Sequence, residues 1–139
     1  MTMRQRVTLF IWQEERLLVI RRWRNGRSFL VIPGGGVEVG ESPDQAALRE
    51  ALEETSLRVT LDKQLWTRPF TTPVENGDSF QQIEYAYLVT RFTGEPHLNP
   101  EEFNASTDNR YELAWLTHQE VSQLPIYPGP LPPAFWETR

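Results

Sequence analysis

The chain contains no cysteine, which excludes disulfide bridges and thiolate metal sites. Its two histidines, His97 and His118, lie in unrelated contexts, so an imidazole-based zinc site is not expected. No apolar run reaches membrane-span length, and the opening MTMRQRVTLF lacks the apolar core of a signal peptide. A cytoplasmic protein without membrane contact is the expectation. Positive charge is also in short supply: 14 basic residues face 19 acidic ones, for a net charge of −5. That balance makes nucleic acid an unlikely partner by broad electrostatic attraction. It leaves a phosphate substrate open, because bound metal ions can carry the local positive charge.

What is present suffices for one domain spanning residues 1–139, with 39% hydrophobic and 12% aromatic residues to build a core. Arg6–Trp12 and Leu17–Arg22 read as strands joined by a turn at 13–16, and Asn25-Gly26 marks a second turn before a short strand at Ser28–Ile32. A helix from Pro43 to about Thr55 follows. Strands are expected at Leu57–Trp66, Phe80–Phe92 and Arg110–Leu116, with a loop at Glu75–Asp78 and a polar loop at Thr93–Asn109 that allows a helical turn at 100–103. Thr117-x-x-Glu120 opens a second helix running to about Leu124. The tail from Pro125 carries five of the 11 prolines and cannot form a regular helix or central strand. Strands, helix, strands, helix describe an α/β sandwich with a mixed sheet between helices.

The chemistry concentrates in Gly35–Leu57, GGVEVGESPDQAALREALEETSL. Ser42 suits the N-cap, Pro43 the first helical position, and Gln45 completes a capping box with Ser42. At 100° per residue, Ala47, Leu48, Ala51, Leu52 and Thr55 fall on one side of this helix. Glu50, Glu53 and Glu54 fall on the other, with Ala46 between them and Arg49 at the flank. A solvated acidic face is the plain alternative. Against it, like charges one turn apart repel, no lysine relieves them, and Glu53 and Glu54 sit where the helix dipole disfavours anions. A bound Mg²⁺ or Mn²⁺ offsets both costs, and carboxylates are the ligands such ions prefer. Gly34, Gly35 and Gly36 allow close backbone approach to a ligand or, more simply, a tight turn.

The spacing resembles the signature of the Nudix hydrolases: Gly, five residues, Glu, seven residues, Arg-Glu, an apolar residue, any residue, Glu-Glu, any residue, Gly, apolar. Six of the seven fixed letters are present, and the late Gly is Ser56 here. A left-handed residue is expected at that helix end, and Ser there costs ~1 kcal/mol unless the helix ends differently. The resemblance extends over nearly the whole chain and implies the α/β/α Nudix fold. It implies metal-dependent hydrolysis of a phosphoanhydride in a nucleoside diphosphate linked to another group X. It also implies Glu50, Glu53 and Glu54 as metal ligands, a backbone carbonyl of the loop, best matched by Gly34, as a further one, and Arg49 as the residue that orients the glutamates. Glu53 is the first choice for general base or water positioner. Glu41 is an auxiliary metal residue, and Glu84, Glu101, Glu102 and Glu112 are alternative sources of the base.

Arg21, Trp23, Arg24 and Arg27 surround the second turn and suit phosphate gripping and base stacking, or simply an exposed hairpin. Gly35 and Gly36 are candidates to receive substrate. Trp115 reads as core. Tyr127, Phe135 and Trp136 of the tail could cover the cleft or form a homodimer, with packing on the domain preferred. The substrate expected is a nucleoside triphosphate or related small nucleotide. Pro73, 16 residues after Leu57, hints at an ADP-ribose or nucleotide-sugar pyrophosphatase. A non-catalytic nucleotide-sensing module is the rival class, although such modules usually lose the carboxylates kept here. An isomerase on the same fold would need cysteine, and an RNA 5′-end pyrophosphohydrolase finds support only in the arginine-rich start.

Overall fold

Residues 7–12, Val-Thr-Leu-Phe-Ile-Trp, are all buried, because both faces of this strand are covered. The computed structural model describes residues 3–73, 79–99 and 109–137. The strands are β1 (Arg4–Gln13), β2 (Arg16–Arg24), β3 (Arg27–Val31), β4 (Gly34–Gly36), β5 (Arg58–Thr60), β6 (Lys63–Pro73), β7 (Ser79–Val89), β8 (Arg91–Thr93), β9 (Asn109–Leu116) and β10 (Ile126–Tyr127). The helices are α1 (Pro43–Thr55) and the four-residue α2 (His118–Val121), with a 3-10 turn at Phe135–Glu137. The main sheet runs β10-β3-β2-β1-β7-β6, with β4 on β1 and β9 on β2. Parallel β1–β7 and β10–β3 pairs sit among antiparallel ones, so the sheet is mixed as expected.

Side-chain alternation along β1 builds two cores. Val7, Leu9 and Ile11 join Ala46, Ala47 and Ala51 of α1 on one face. Phe10 and Trp12 join Leu17, Val121 and Phe135 on the other. Glu14 and Glu15 take positive φ in the two-residue β1–β2 turn, and Asn25-Gly26 does the same between β2 and β3; two left-handed residues match the twist of a tight hairpin.

Two strands expected to be continuous are broken. Leu57–Trp66 divides into β5 and the start of β6, and Phe80–Phe92 into β7 and β8. Both breaks meet at one contact, where Asp62 accepts hydrogen bonds from the Thr90 amide (2.6 Å) and hydroxyl (2.7 Å). β5 and β8 then pair as a separate two-stranded sheet. The second helix is shorter than expected, since α2 stops at Val121. The tail forms the edge strand β10, tied to β3 by Leu30 N–H to Pro125 O (2.9 Å) and Ile32 N–H to Tyr127 O (3.0 Å). Phe135 packs on Phe10, with ring centroids 4.6 Å apart, so the tail covers the core. Trp115 stacks on Phe92 at 5.8 Å, in line with its core reading. The loop at 75–78 and the segment 100–103 lie outside the described residues.

Candidate active site

The box helix starts as its sequence dictates. Ser42 Oγ accepts from Gln45 N–H (3.1 Å) and Gln45 Oε1 from Ser42 N–H (2.9 Å). Asp44 in the first turn accepts from Tyr87 Oη at 2.7 Å, pinning the helix start to β7. Ser56 ends the helix in left-handed conformation, φ 66°, with its amide on Leu52 O. Its hydroxyl donates to His97 O at 2.9 Å, a bond glycine would lack.

One expectation about this helix is corrected. Leu48 and Leu52, assigned to the buried side, are 46% and 40% exposed, and Ala46, placed among the glutamates on the opposite side, is fully buried. The inward stripe is Ala46, Ala47, Ala51 and Thr55, and by angle Glu50 and Glu54 lie on that stripe. The small alanines let the helix approach closely, and the surface it meets beside the carboxylates is β4, which is all glycine. A Cβ built at Gly35 would overlap the Glu50 carboxylate, so that carboxylate occupies the volume a side chain would fill. The Gly34 amide donates to Glu54 Oε1 at 3.0 Å.

Arg49 is the hub. Its Nε and Nη2 donate to the two oxygens of Glu41 at 2.8 and 2.9 Å. Nη1 donates to Glu50 Oε1 (2.9 Å) and Glu53 Oε2 (3.0 Å), and Nη2 also reaches Gly36 O (2.9 Å). The fork thus joins loop, strand β4 and helix. The Arg49 guanidinium, chiefly through Glu41, is held more firmly protonated than usual. Hydrogen bonding from Arg49, then from the Glu38 amide, pulls Glu41 down to about 2. Burial pushes Glu50 up against the opposing pull of Arg49. The Glu50 side chain is 13% exposed and that of Glu53 43%.

Whether these residues suit a hard cation rests on the donors and the space. Glu50, Glu53 and Glu54 offer only oxygen, they outnumber the single guanidinium between them, and burial makes the Glu50 charge costly. Gly35 leaves no side chain in the way. Among the described residues no three acidic or imidazole groups already converge as a ready ligand cluster, and Arg49 Nη1 bridges Glu50 and Glu53. The donor set fits a divalent cation, with one oxygen each of Glu50 and Glu53 given to Arg49.

Glu84 is neither solvent-facing nor open to a cleft: it is fully buried. Its Oε1 accepts from Trp66 Nε1 (2.7 Å) and Arg68 Nε (2.8 Å), and its Oε2 accepts from Thr8 Oγ1 (2.7 Å). A carboxylate committed to three donors is poorly placed to take a proton from water. Glu101 and Glu102 lie outside the described residues. Glu112 is exposed on β9, opposite Arg21 in register. Arg21 and Arg110 both lie over the Trp23 ring, at 5.0 and 4.8 Å from its centroid. Arg24 and Arg27 pair at the hairpin tip. Among the described residues no hydrogen bond or ion pair links Arg21 or Arg27 to the box.

Sequence reasoning missed Arg6. Its Nη2 donates to Ile32 O (2.9 Å) and its Nε to Thr8 Oγ1 (3.4 Å). Glu54, Glu84 and Glu50 all act on its charge. The available signal was the polar pair Arg6 and Thr8 on one face of an otherwise apolar strand. Arg6 also lines a cavity of about 140 Å³ with Val31, Phe70, Thr71, Gln82, Tyr127 and Pro128.

The model of the NUDIX domain matches residues 2–135, and the chain belongs to the NUDIX family. It is 30% identical over 132 residues to the uncharacterized Nudix hydrolase YvcI of Bacillus subtilis (strain 168), covering 93% of this chain and 76% of that one. It is 26% identical over 124 residues to the NAD-capped RNA hydrolase NudC of Salmonella heidelberg (strain SL476), covering 89% of this chain but only 42% of that longer protein. A crystal structure of a MutT NUDIX hydrolase from Burkholderia pseudomallei superposes with a TM-score of 0.65 at 25% identity, covering 97% and 94% of the two chains. The solution structure of the E. coli ORF135 protein shares the fold, with a TM-score of 0.70 at 24% identity over 93% of this chain and 84% of that one. The protein is therefore a pyrophosphohydrolase of a family that acts on nucleoside diphosphates linked to X and generally uses divalent metal ions. Among the described residues no helix is long and apolar enough to cross a membrane.

Proposed function

We propose that this protein hydrolyses a phosphoanhydride of a small nucleotide, with nucleoside triphosphates as the first class. The observation that carries the reading is the Arg49 fork joining Glu41, Glu50 and Glu53 beside a glycine strand that makes room for the Glu50 carboxylate. Glu50, Glu53 and Glu54, with the Gly34 carbonyl, would hold Mg²⁺ or Mn²⁺. Such an ion, when bound, neutralises phosphate charge and acidifies water.

The chain's own groups divide the remaining work. Glu53 is half-exposed and spends only one oxygen, Oε2, on Arg49. Its Oε1 has no hydrogen-bond partner among the described residues and is the group we assign to orient or deprotonate the attacking water. Arg49 positions the glutamates while Glu41, far below the usual carboxylate range, stays ionised and fixes the fork. Gly35 makes room for Glu50, and Gly36, with room where a side chain would stand, leaves the strand free to receive phosphate oxygens. The cavity beside Arg6, walled by Val31, Phe70, Tyr127 and Pro128, suits one planar base.

The test is hydrolysis, with Mg²⁺ or Mn²⁺, of nucleoside triphosphates, ADP-ribose, nucleotide sugars and dinucleoside polyphosphates by the wild type and Glu53→Gln. Turnover confined to the wild type supports the reading. Equal turnover by a folded Glu53→Gln protein removes Glu53 from its role. No turnover on any compound favours a nucleotide-sensing module.

A further inference from the structure

The half-buried cation Arg6 has chemistry left over. One N–H of Nη2 goes to Ile32 O and that of Nε to Thr8 Oγ1, while the second N–H of Nη2 and both of Nη1, the donors that form the end of the fork, have no hydrogen-bond partner among the described residues. The side chain borders the small cavity. Its charge is already faced by Glu54, Glu84 and Glu50, so it is not a surplus cation waiting for a phosphate. Most of the cavity wall is apolar, with the rings of Phe70, Tyr127 and Pro128 beside Val31, which fits the faces of a heterocycle and not an oxyanion. What Arg6 presents to that space is a planar donor with no acceptor.

Resting on the nucleotide reading above, we propose that Arg6 selects the base, favouring one whose edge carries two adjacent acceptors, as O6 and N7 of guanine do. Adenine would set its amino group against the guanidinium, donor against donor. The orientation of Arg6 is enforced by a relay: Arg6 Nε donates to Thr8 Oγ1 (3.4 Å), which donates to Glu84 Oε2 (2.7 Å). Register places Glu84 directly opposite Arg6 on the parallel neighbour β7. Arg68, which also holds Glu84, donates through Nη1 to Pro130 O at 2.9 Å. The same carboxylate thus helps to fix the tail beyond Tyr127 and Pro128, which wall the cavity. Thr8 and Glu84 are positioning residues in this scheme.

The test is calorimetric binding of GMP and AMP without metal, beside hydrolysis of GTP and ATP. The wild type is expected to bind GMP at least tenfold more tightly than AMP. Arg6→Met should bring the ratio near one by weakening GMP roughly tenfold to a hundredfold. Arg6→Lys, which keeps the charge but not the fork, should do the same and stands in if the methionine variant fails to fold. Thr8→Val should raise KM for GTP with kcat unchanged, and Thr8→Ser should restore it. Equal weakening of GMP and AMP in both Arg6 variants would make Arg6 a phosphate contact and overturn the proposal, as would a wild type that prefers AMP. GMP selectivity without hydrolysis of any nucleotide would sink the hydrolase reading and leave this one standing.

Discussion

Arg49 and Glu41 meet through two parallel hydrogen bonds, Nε to Oε2 at 2.8 Å and Nη2 to Oε1 at 2.9 Å, across eight residues of sequence. Planarity is what lets the rest of the same guanidinium reach Glu50, Glu53 and Gly36 O. Lysine offers one point charge and cannot hold loop, strand and helix together. Arg49→Lys is expected to lose roughly 10- to 100-fold in kcat/KM, the usual cost of removing a residue that orients metal ligands. Circular dichroism should stay unchanged. Steady-state kinetics within twofold of wild type would show that the fork is dispensable.

Two neighbouring glycines should fail in different ways. A Cβ at Gly35 meets the Glu50 carboxylate, the end of a side chain that can move, whereas a Cβ at Gly34 meets the backbone carbonyl of Val7 in β1. β1 is paired with both β4 and β7 at that level, so Val7 cannot yield. Gly34→Ala is expected to destabilise the fold by about 3 kcal/mol, read by urea unfolding. Gly35→Ala should keep its stability to within about 1 kcal/mol yet lose turnover about a hundredfold, because Glu50 is displaced by around an ångström. The reverse pattern would contradict this account of the strand.

Much of this was legible in sequence where the determinants are local. Ser42, Pro43 and Gln45 fixed the helix start, while the left-handed end that Ser56 adopts was implied only by the Gly of the family pattern at that place. The buried face of α1 was not legible, because large apolar side chains were weighted over small ones. Leu48 and Leu52 are the more hydrophobic, but only Ala46, Ala47 and Ala51 fit against β1 and β4. Glu84 and Arg6 were beyond local reading too. The partners of Glu84 include Thr8, 76 residues away, and no periodicity reveals that a strand carboxylate will be met by three donors.

Ser56 separates backbone strain from hydrogen bonding. Its left-handed φ of 66° is favourable for glycine, while its hydroxyl bond to His97 O is available only to a hydroxyl side chain. Ser56→Gly relieves about 1 kcal/mol of strain and loses an exposed hydrogen bond of similar or smaller worth, so its stability should equal or slightly exceed the wild type. Ser56→Ala keeps the strain and loses the bond, and should be about 1 kcal/mol less stable than Ser56→Gly. Thermal unfolding of the two variants decides it. Neither touches the glutamates, so turnover should be retained in both.

Tyr87 gives the fold an alkaline limit. Burial first, and then the hydrogen bond to Asp44, push its hydroxyl up to about 12. Between the ordinary phenol value near 10 and that raised value, the folded chain keeps a proton that the unfolded chain has released. Fewer protons bound in the unfolded state means that stability falls as pH rises. The contribution is complete below about pH 10 and lost as pH passes through about 12. Because Asp44 lies in the first turn of α1, the ionised phenolate would repel the start of the helix that carries Glu50, Glu53 and Glu54. Urea unfolding at pH 9, 10 and 11 should therefore show a decline that is shallower in Tyr87→Phe. Parallel pH profiles for the two proteins would mean that this contact does not link the helix start to β7 energetically.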